Sequence, residues 1–560
     1  MIGEKMKLKK WKPSLPIWNP DETQISVGEI SEEYKKTLEK SGFQFVDRKV
    51  TPPSASKVNK EEPLKPTIYV PDRSDCDKIV DGSLDLASEI TSCLKNGTCG
   101  TEDDPYVICS REGGSLNVRS AKILTDPFDS FNSFNFFNFF DGEINLVIRA
   151  DKDLIFEDKF SLGNNDVLEN LSLTFIAEKG RLDLTKGISI DNLNISGNVD
   201  LNFKGRIIEM GDIDLKSISA DGEVNLNMYS NEDLFLKGNT RLRSSRASGP
   251  INFVSYSGKN THIMGILDFE SLSAEENINL SLGSEENLDV KKPIILYSSS
   301  ADSNLLVKLN SNKAIHFDED GGIKIYGLSA KGEGLLDIEA NEDIDIKNGI
   351  YFYSSSVENM FTFNIFSKNK SVKFNGVNDS FFDYTNRFFD NTDLHTTICK
   401  VVCGEELSKG LLNIYADQID SELNVFISAG KSVDTAGSKN LLNLCSSSLD
   451  EHINTILWAD ESIKANTEFC SFDLLPHEDI NFAVLAKKDF SWGWGFRGFD
   501  FLSWSFFGYR YPFSGLTKEE LEDLCSSPYL PSEAKRIPCS ILSQIENNPN
   551  CYVLTGWQLY

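Results

Sequence analysis

The sequence lacks the features that mark membrane-spanning and nucleic-acid-binding proteins. Its 560 residues contain no run of 18 or more apolar residues, so a membrane-spanning helix is not expected. Acidic residues number 85 and basic residues 56, which gives a formal net charge of −29. Because phosphate contacts need concentrated lysine and arginine, this charge argues against nucleic acid as a partner.

The sequence also lacks the common catalytic signatures. It contains no Gly-x-Ser-x-Gly elbow, P-loop, dinucleotide fingerprint or HExxH motif. Its five histidines are far apart in the chain, which leaves little material for a histidine-based triad. A carbohydrate-active enzyme would need two or three carboxylates converging on one face, or carboxylates with calcium and an arginine or lysine base.

Cysteine is absent from residues 110–398, and the 11 cysteines cluster at the two flanks. Clusters in polar, loop-like sequence favour disulfides and an oxidising compartment. The predicted location is therefore extracellular or at a cell surface, although the basic start MIGEKMKLKK lacks the apolar run of a signal peptide and is typical of a disordered tail. The candidate disulfide cysteines are Cys93, Cys99, Cys109, Cys399, Cys403, Cys445, Cys525, Cys539 and Cys551.

One of these groups has an alternative interpretation. His395, Cys399 and Cys403 would align on one side of a helix and offer three ligands to zinc. The stretch is β-branched, however, so we favour a disulfide among Cys399, Cys403 and Cys445.

Prolines become scarce after about residue 96, and a repeat with period-two alternation takes over. SADGEVNLNMYSNEDLFLK at 219–237 aligns without gaps with SAEENINLSLGSEENLDVK at 273–291 and SAKGEGLLDIEANEDIDIK at 329–347. The pattern predicts inward-facing apolar residues, then turn-forming residues at 230–233, then a second inward set. In the first copy the predicted inward residues are Val224, Leu226, Met228, Leu234 and Leu236.

The spacing between these inward sets leaves no room for a crossover helix, which needs a dozen or more residues. We therefore predict an all-β fold, a parallel β-solenoid (β-helix) with short capping segments at both ends. The repeat intervals are 54 (273 − 219) and 56 (329 − 273), which suggest three coils of about 18–19 residues each and on the order of 15–19 coils in all. An antiparallel sandwich or propeller is the rival fold.

These changes in composition and alternation divide the chain into three segments. Residues 1–95 are predicted to be a polar tail or linker, 96–495 the solenoid, and 496–560 an aromatic-rich cap with a short helix. We interpret the aromatic run mainly as a cap, and alternatively as a docking or sugar-binding surface. The interaction candidates in it are Phe496, Phe499, Trp504 and Tyr509.

Two acidic features are candidate calcium sites. Asp318, Glu319 and Asp320 stand together before Gly321, and carboxylate oxygens so close together suit calcium, while an exposed acidic turn is the ordinary interpretation. Acids at 232–233, 286 and 342–343 recur at one corner of the repeat. Stacked carboxylates would repel each other there unless cations or lysines intervene. No other cofactor is expected.

The phrases SADGEVNLNMYSNEDLFLK and SAKGEGLLDIEANEDIDIK resemble the repeats of filamentous-haemagglutinin-type bacterial surface proteins. ILWADESIKA at 456–465 and FAVLAKKDFSW at 482–492 resemble coils of β-helical proteins associated with type IV pili, as does the lead-in TCGTEDDPYVICS. The resemblance implies a right-handed β-helix. It implies no catalytic residue, because the repeat pattern contains none.

These observations predict a non-enzymatic, elongated surface protein that is adhesin-like or forms part of an extracellular appendage. Its partners would be a surface glycan, a protein or appendage subunits. One alternative is a carbohydrate-active β-helix, a polysaccharide lyase or hydrolase, marked by carboxylates and a base in a groove across adjacent coils. A second alternative is a virus or phage fibre component.

Overall fold

A computed structural model describes residues 65–101, 104–119, 122–123, 143–353, 356–357, 359–375, 410–419, 422–435, 440–449, 453–471, 480–486, 489–500, 505–514 and 552–555. All of them belong to one unit of the chain, Pro63–Tyr560. Within these residues the backbone is nearly all parallel β-structure, with one α-helix and one turn of 3-10 helix at Arg73–Asp75.

The first part of the unit builds irregular coils, because several strands bend around a corner and serve two sides of a coil. Its elements are β1 (Lys78–Val80), β2 (Gly82–Asp85), α1 (Leu86–Asn96), β3 (Tyr106–Ser110), β4 (Leu116–Arg119), β5 (Lys122–Ile123), β6 (Ile144–Ala150), β7 (Leu154–Phe156), β8 (Phe160–Leu168), β9 (Leu171–Leu184), β10 (Ile188–Ile195), β11 (Val199–Met210) and β12 (Ile213–Ala220).

The middle coils are regular, and each has four strands separated by tight corners. They are β13 (Val224–Ser230), β14 (Leu234–Leu236), β15 (Thr240–Arg243), β16 (Arg246–Ala247), β17 (Ile251–Ser257), β18 (Thr261–Ile263), β19 (Leu267–Glu270), β20 (Ser273–Ala274), β21 (Ile278–Ser284), β22 (Leu288–Val290), β23 (Ile294–Tyr297), β24 (Ser300–Ala301), β25 (Leu305–Ser311), β26 (Ile315–Phe317), β27 (Ile323–Tyr326), β28 (Ser329–Ala330), β29 (Gly334–Ala340), β30 (Ile344–Ile346), β31 (Ile350–Tyr353), β32 (Ser356–Val357), β33 (Met360–Ser367) and β34 (Val372–Phe374).

The last part continues the stack and ends in antiparallel strands. Its elements are β35 (Leu412–Ile419), β36 (Glu422–Ala429), β37 (Ser432–Asp434), β38 (Asn440–Leu449), β39 (Ile453–Ala459), β40 (Ser462–Ser471), β41 (Ile480–Ala486), β42 (Asp489–Asp500), β43 (Ser505–Ser514) and β44 (Tyr552–Thr555).

Each strand pairs in parallel with the equivalent strand of the next coil, so the four sides of a coil become four faces. The first face stacks the long strands, β13 on β17, β21, β25, β29 and β33. The second face carries the three-residue strands from β14 to β34, the third the four-residue strands from β15 to β31, and the fourth the two-residue strands from β16 to β32. The predicted parallel solenoid is confirmed, and the antiparallel rival is excluded for these coils.

The predicted coil length is wrong. Val224 pairs with Ile251 and Ile251 with Ile278, so one coil takes 27 residues (251 − 224) rather than about 18. The interval of 54 is therefore two coils, and the stack makes about 11 turns. The difference arises because each coil adds a third and a fourth side, whose strands are too short to give a clear alternation in the sequence.

The predicted inward residues are confirmed, since Val224, Leu226, Met228, Leu234 and Leu236 are at most 2% exposed. Together with their equivalents they form one continuous core along the coils. A buried side chain of this size contributes about 1.5–3 kcal/mol relative to an exposed one. No single coil encloses such a core, so the stacking of neighbours supplies it.

The corner after the first face differs from the prediction in one residue. Ser230, expected in the turn, is the last residue of β13 and is completely buried. Its hydroxyl oxygen lies 2.9 Å from the carbonyl oxygens of both Arg206 and Asp233, so its one proton can bond either of them. Serine recurs here in neighbouring coils, at Ser257, Ser284 and Ser311. The Ser311 hydroxyl donates to the corner carbonyl of Glu286, and the Ser257 hydroxyl bonds the hydroxyl of Thr261.

The corner between the third and fourth faces depends on left-handed backbone. Ser217, Ser244, Ser271 and Ser298 have φ values of 55°, 48°, 54° and 46°, and Gly327 follows with 58°. Ser217 lies within β12, and each of the others directly follows a third-face strand. A residue with a Cβ atom pays about 1–2 kcal/mol for this conformation, and glycine does not.

Both ends of the described stack are covered. At the start, Leu86, Ile90 and Cys93 of α1 join the main core. At the end, β44 pairs antiparallel with β41, and β43 pairs antiparallel with β42. Capping segments at both ends were predicted. Coil strands begin at Lys78, however, inside the segment predicted to be tail, and residues 78–95 hold β1, β2 and all of α1 except Asn96.

Candidate functional surface on the outside of the coils

Asparagine side chains form a hydrogen-bonded ladder along the outside of the first face. Asn225 donates from Nδ2 to Oδ1 of Asp200 at 2.8 Å, Asn252 donates to Asn225 at 2.7 Å, and Asn279 donates to Asn252 at 2.6 Å. The next coil has Leu306 in this position. The Oδ1 atom of Asn279 has no hydrogen-bond partner, so the ladder ends there. We call Asp200, Asn225, Asn252 and Asn279 the asparagine ladder.

A second ladder runs along the corner that follows the first face and explains the recurrent acids. The backbone stacks residues 206, 232, 259, 286, 313 and 342 on one another. From residue 206 to residue 370, acids occupy every second coil and basic residues occupy the coils between them, so the acidic period of 54 is twice the coil length. We call this column the corner charge ladder, and its members are Arg206, Glu232, Lys259, Glu286, Lys313, Glu342 and Lys370.

Ion pairs connect the corner charge ladder along the coils. Lys259 Nζ lies 3.3 Å from Glu232, Lys313 lies 3.0 Å from Glu286, and Lys370 lies 2.7 Å from Glu342. These side chains are about one-third to one-half exposed, so each pair contributes between zero and about 1 kcal/mol. Lysines therefore relieve the repulsion between the acids at this corner, which leaves no stack of adjacent carboxylates to bind calcium.

The second face carries histidine and aspartate in alternate coils. His262, Asp289, His316 and Asp345 are successive register partners. Nδ1 of His262 lies 2.9 Å from the carboxylate of Asp289, and the imidazole stacks on Phe235 with ring centroids 4.8 Å apart. The hydrogen bond from His262 holds the pKa of Asp289 below its usual range.

Two carboxylates on the outside of β29 form the strongest chemical feature of the first face. Asp337 lies between Lys308 and Asn364 of the neighbouring coils, and Asn364 donates to its Oδ1 at 2.7 Å. Burial raises the pKa of Asp337. Burial also raises the pKa of Glu339, and the negative charge of Asp337 raises it further. A carboxyl group with a raised pKa holds its proton more readily and suits general acid chemistry.

The predicted calcium residues do not converge in the described part of the chain. Asp320 Oδ2 lies 2.6 Å from Lys292 Nζ, and Asp318 Oδ1 lies 3.4 Å from Lys347 Nζ. Among the described residues, no group of three or more histidine, cysteine, aspartate or glutamate side chains is arranged to hold a metal ion. Calcium binding by Asp318, Glu319 and Asp320 stays a prediction that the geometry does not support.

Two disulfides lie near the start of the coils. One joins Cys93 to Cys99, with Cα atoms 4.8 Å apart, and both residues are buried beside α1. The other joins Cys109 to Cys76, a cysteine outside the predicted set, with Cα atoms 5.8 Å apart. Sequence spacing gave no information on this connectivity, since the two residues are 33 positions apart.

For four of the remaining predicted residues, the structure describes the backbone alone. The backbones of Phe496 and Tyr509 are partners in the hairpin of β42 and β43, and Phe499 pairs with Phe506. The backbone of Cys445 lies beside that of Cys470 in β38 and β40. The predicted residues that lie outside the described residues are His395, Cys399, Cys403, Trp504, Cys525, Cys539 and Cys551.

The sequence reasoning missed Asp337 and Glu339 as a pair with raised pKa values, and it missed an apolar patch on the first face. Val107, Cys109, Val147 and Ile176 occupy outward positions but are buried in a cluster of their own. The available signal was an apolar residue in the outward phase of the alternation, as at Val147 within INLVIRA.

Comparison of the chain with protein-family models, curated proteins and solved structures found no match. No helix among the described residues is long and apolar enough to cross a membrane.

Proposed function

We propose that this chain is a non-enzymatic β-solenoid of a cell or particle surface, acting in adhesion or as a structural part of an extracellular appendage. The observation that supports this best is the use of the outward polar groups. In the asparagine ladder and the corner charge ladder, these groups bond to the equivalent group of the next coil. Their chemistry stabilises the stack and presents a continuous polar surface.

The location outside the cytosol is supported by the disulfides Cys76–Cys109 and Cys93–Cys99, because such bonds persist in oxidising compartments. The repeat resemblance to haemagglutinin-type surface proteins points the same way. The partner we propose is a surface glycan or protein, since half-exposed amides and charged groups at regular spacing offer both hydrogen-bond donors and acceptors.

The test begins with native protein from the cells or particles that produce it. Intact material is labelled with a membrane-impermeant amine reagent, and the cysteines are then mapped by mass spectrometry without reductant. We expect labelled lysines and both disulfides. An unlabelled protein with free thiols at Cys76, Cys93, Cys99 and Cys109 would overturn the surface assignment.

Adhesion is tested separately with purified protein on arrays of glycans and extracellular proteins. We expect saturable binding that weakens when the outward face is altered by Asn252→Asp, with the second-face variant Phe235→Leu as the matched control. If Asn252→Asp binds as strongly as the control Phe235→Leu, the partner binds another face. If the protein binds nothing on the arrays, the structural appendage role is favoured over adhesion.

A second candidate function is supported by the carboxylate pair. Asp337 and Glu339 are two residues apart in β29, which puts their Cα atoms about 6.6–6.8 Å apart on the same face. Two carboxyl groups with perturbed pKa values beside Lys308 are the material of a polysaccharide lyase or hydrolase. Release of reducing or unsaturated ends from a polysaccharide panel, abolished by both Asp337→Asn and Glu339→Gln, would establish this function and overturn the non-enzymatic one.

A further inference from the structure

The apolar patch on the first face is covered by a segment of the same chain. Val70 and Cys76 pack on Val107, Cys109, Val147 and Ile176. We call residues 65–77 the N-terminal strap. Ile68 and Pro71 of the strap are buried, whereas Tyr69 between them is 60% exposed. The strap is therefore a single layer laid over the sheet, with one side of it in water, and it includes the 3-10 turn at Arg73–Asp75.

The strap runs along the coils rather than around them. Cys109, Arg149, Ile176, Lys204, Tyr229 and Tyr256 form one outward column, each the register partner of the next. Five strand spacings separate the ends of this column, a distance of about 24 Å. The strap contacts Tyr256 through Lys65 and Cys109 through Cys76, so it spans the whole column.

Polar contacts hold the far end of the strap. Lys65 Nζ lies 3.1 Å from Glu285 and 4.8 Å from the centre of the Tyr256 ring, and the Tyr256 hydroxyl donates to the same carboxylate. These contacts lower the pKa of Glu285, the hydrogen bond from Tyr256 most of all. Because Lys65 and Glu285 are more than one-third exposed, this ion pair is weak by itself.

Arginines hold the middle of the strap. Arg149 is 8% exposed and donates from Nη1 to the carbonyl oxygen of Pro71 at 2.7 Å. Arg73 of the strap donates to both carboxylate oxygens of Asp151 at 2.7 Å and to the carbonyl oxygen of Ser110 at 3.1 Å. The strap is thus hydrogen-bonded to β3 and β6, and Val70 and Cys76 pack on the cluster that contains Ile176 of β9.

The two disulfides differ in exposure. Cys93 and Cys99 are both 4% exposed and belong to the main core. Cys109 is buried, but Cys76 lies at the edge of the patch and is only partly buried. Cys76 is therefore the most accessible of the four disulfide-bonded cysteines to a thiolate approaching from water.

We propose that Cys76–Cys109 is a redox-controlled lock on the N-terminal strap, opened selectively by a small dithiol or a dithiol oxidoreductase. The attacking thiolate forms a mixed disulfide with Cys76 and releases Cys109 as the leaving thiolate, which takes up a proton. The second thiol then displaces Cys76. In total, the chain gains two electrons and two protons, and the dithiol is oxidised to a disulfide.

Opening the lock uncovers the apolar patch on the first face. Without the covalent bond, the strap is held by the ion pairs of Lys65 and Arg73, the hydrogen bond from Arg149, the hydrogen bonds between Asp77 and Val107, and a few apolar contacts. A crosslink of this kind typically changes a local equilibrium by about 30-fold to 1000-fold. The inference rests on the proposed location in one respect only, since the Cys76–Cys109 bond needs an oxidising compartment to form after export.

The test uses the oxidised full-length protein and graded dithiothreitol under native conditions. Mass spectrometry follows each disulfide, and hydrogen exchange follows the amides of residues 67–77. We expect Cys76–Cys109 to be reduced first, exchange in the strap to rise about 100-fold, and a dye that binds apolar surface to bind. The coils from β25 to β33 serve as the internal control and should keep their protection.

Variants separate the lock from general damage. The double variant Cys76→Ser with Cys109→Ser should show the open strap without reductant, and the matched pair Cys93→Ser with Cys99→Ser should keep the strap closed. Unchanged exchange in the strap after confirmed reduction of Cys76–Cys109 would overturn the proposal, as would simultaneous reduction of both disulfides. Free thiols in the native protein would overturn the proposed location and not the lock. The effect of the Cys76–Cys109 bond on the strap can still be measured after the protein is oxidised in vitro.

Discussion

Two parts of the first face have the same backbone and opposite outer surfaces. At β13, β17 and β21 the outward residues of the asparagine ladder are half-buried amides that bond to one another. At β3, β6 and β9 the outward residues Val107, Val147 and Ile176 are buried under the N-terminal strap. The parallel stack alone therefore does not decide the chemistry of its outside. A second layer does so wherever it packs.

The largest expected effect comes from the core that both parts share. Phe175 points inward from β9, with its ring centre 5.0 Å from that of Phe156 and 5.7 Å from that of Phe203. Phe175→Ala should cost about 3–5 kcal/mol, measured as the free energy of local opening of β6, β9 and β11 by hydrogen exchange. The control is Phe235→Ala on the outside of the second face, and an equal loss there would contradict the inward–outward distinction.

The next effect tests the strapped part. Ile176→Asn puts an amide under the strap, where it is shielded from water, so a loss of about 2–3 kcal/mol is expected in the local stability of the strap and β9. Ile176→Val keeps the apolar contact and should cost no more than about 1 kcal/mol. Hydrogen exchange measures both, and tolerance of asparagine would show that the strap does not exclude water there.

The reciprocal change tests the asparagine ladder. Asn252→Ile removes the donor to Asn225 and the acceptor for Asn279, and a loss of about 1 kcal/mol is expected because water replaces part of each bond. Thermal unfolding and local exchange at β17 give the value. Asn227→Ile, with a single bond to Asn202, should cost less, and the reverse order would contradict the ladder's role.

A smaller effect with a defined pH dependence is expected at Asp337. Since burial raises its pKa in the folded chain, the ionised form destabilises the fold, and stability rises as the pH falls through this raised pKa. Asp337→Asn should therefore stabilise the protein at neutral pH, and the gain should vanish below about pH 4, where the unfolded chain also protonates. A gain independent of pH would contradict this cause. Urea unfolding from about pH 3 to pH 8 provides the measurement.

The smallest effect concerns the corner charge ladder. Lys259→Glu places a third acid between Glu232 and Glu286, and a loss of about 0.5 kcal/mol is expected at low salt. The loss should shrink in 1 M salt, whereas Lys259→Gln should show little dependence on salt. Chemical unfolding at two salt concentrations distinguishes the variants, and a salt-independent loss for the glutamate would indicate a packing effect.

Prediction from the sequence succeeded where the cause was local. Alternation with period two identified Val224, Leu226 and Met228 as inward residues, because a strand with one buried face must alternate. The aligned repeats then required the same alternation elsewhere, and the parallel solenoid followed. The carboxylate pair was not recognised, since the raised pKa values depend on burial and on the neighbouring coils that bring Lys308 and Asn364 beside Asp337.

The sequence by itself determined the strand segments, the inward residues and the absence of helices between the repeat copies, since each of these depends on neighbours a few residues apart. Only the tertiary structure decided that 27 residues make one coil, that Lys259 and Lys313 separate the acids of alternate coils, and that Cys76 reaches Cys109. These features join residues about 27 or more positions apart. Their partners are chosen by the register of the stack and by the path of the strap, which no short window of sequence contains.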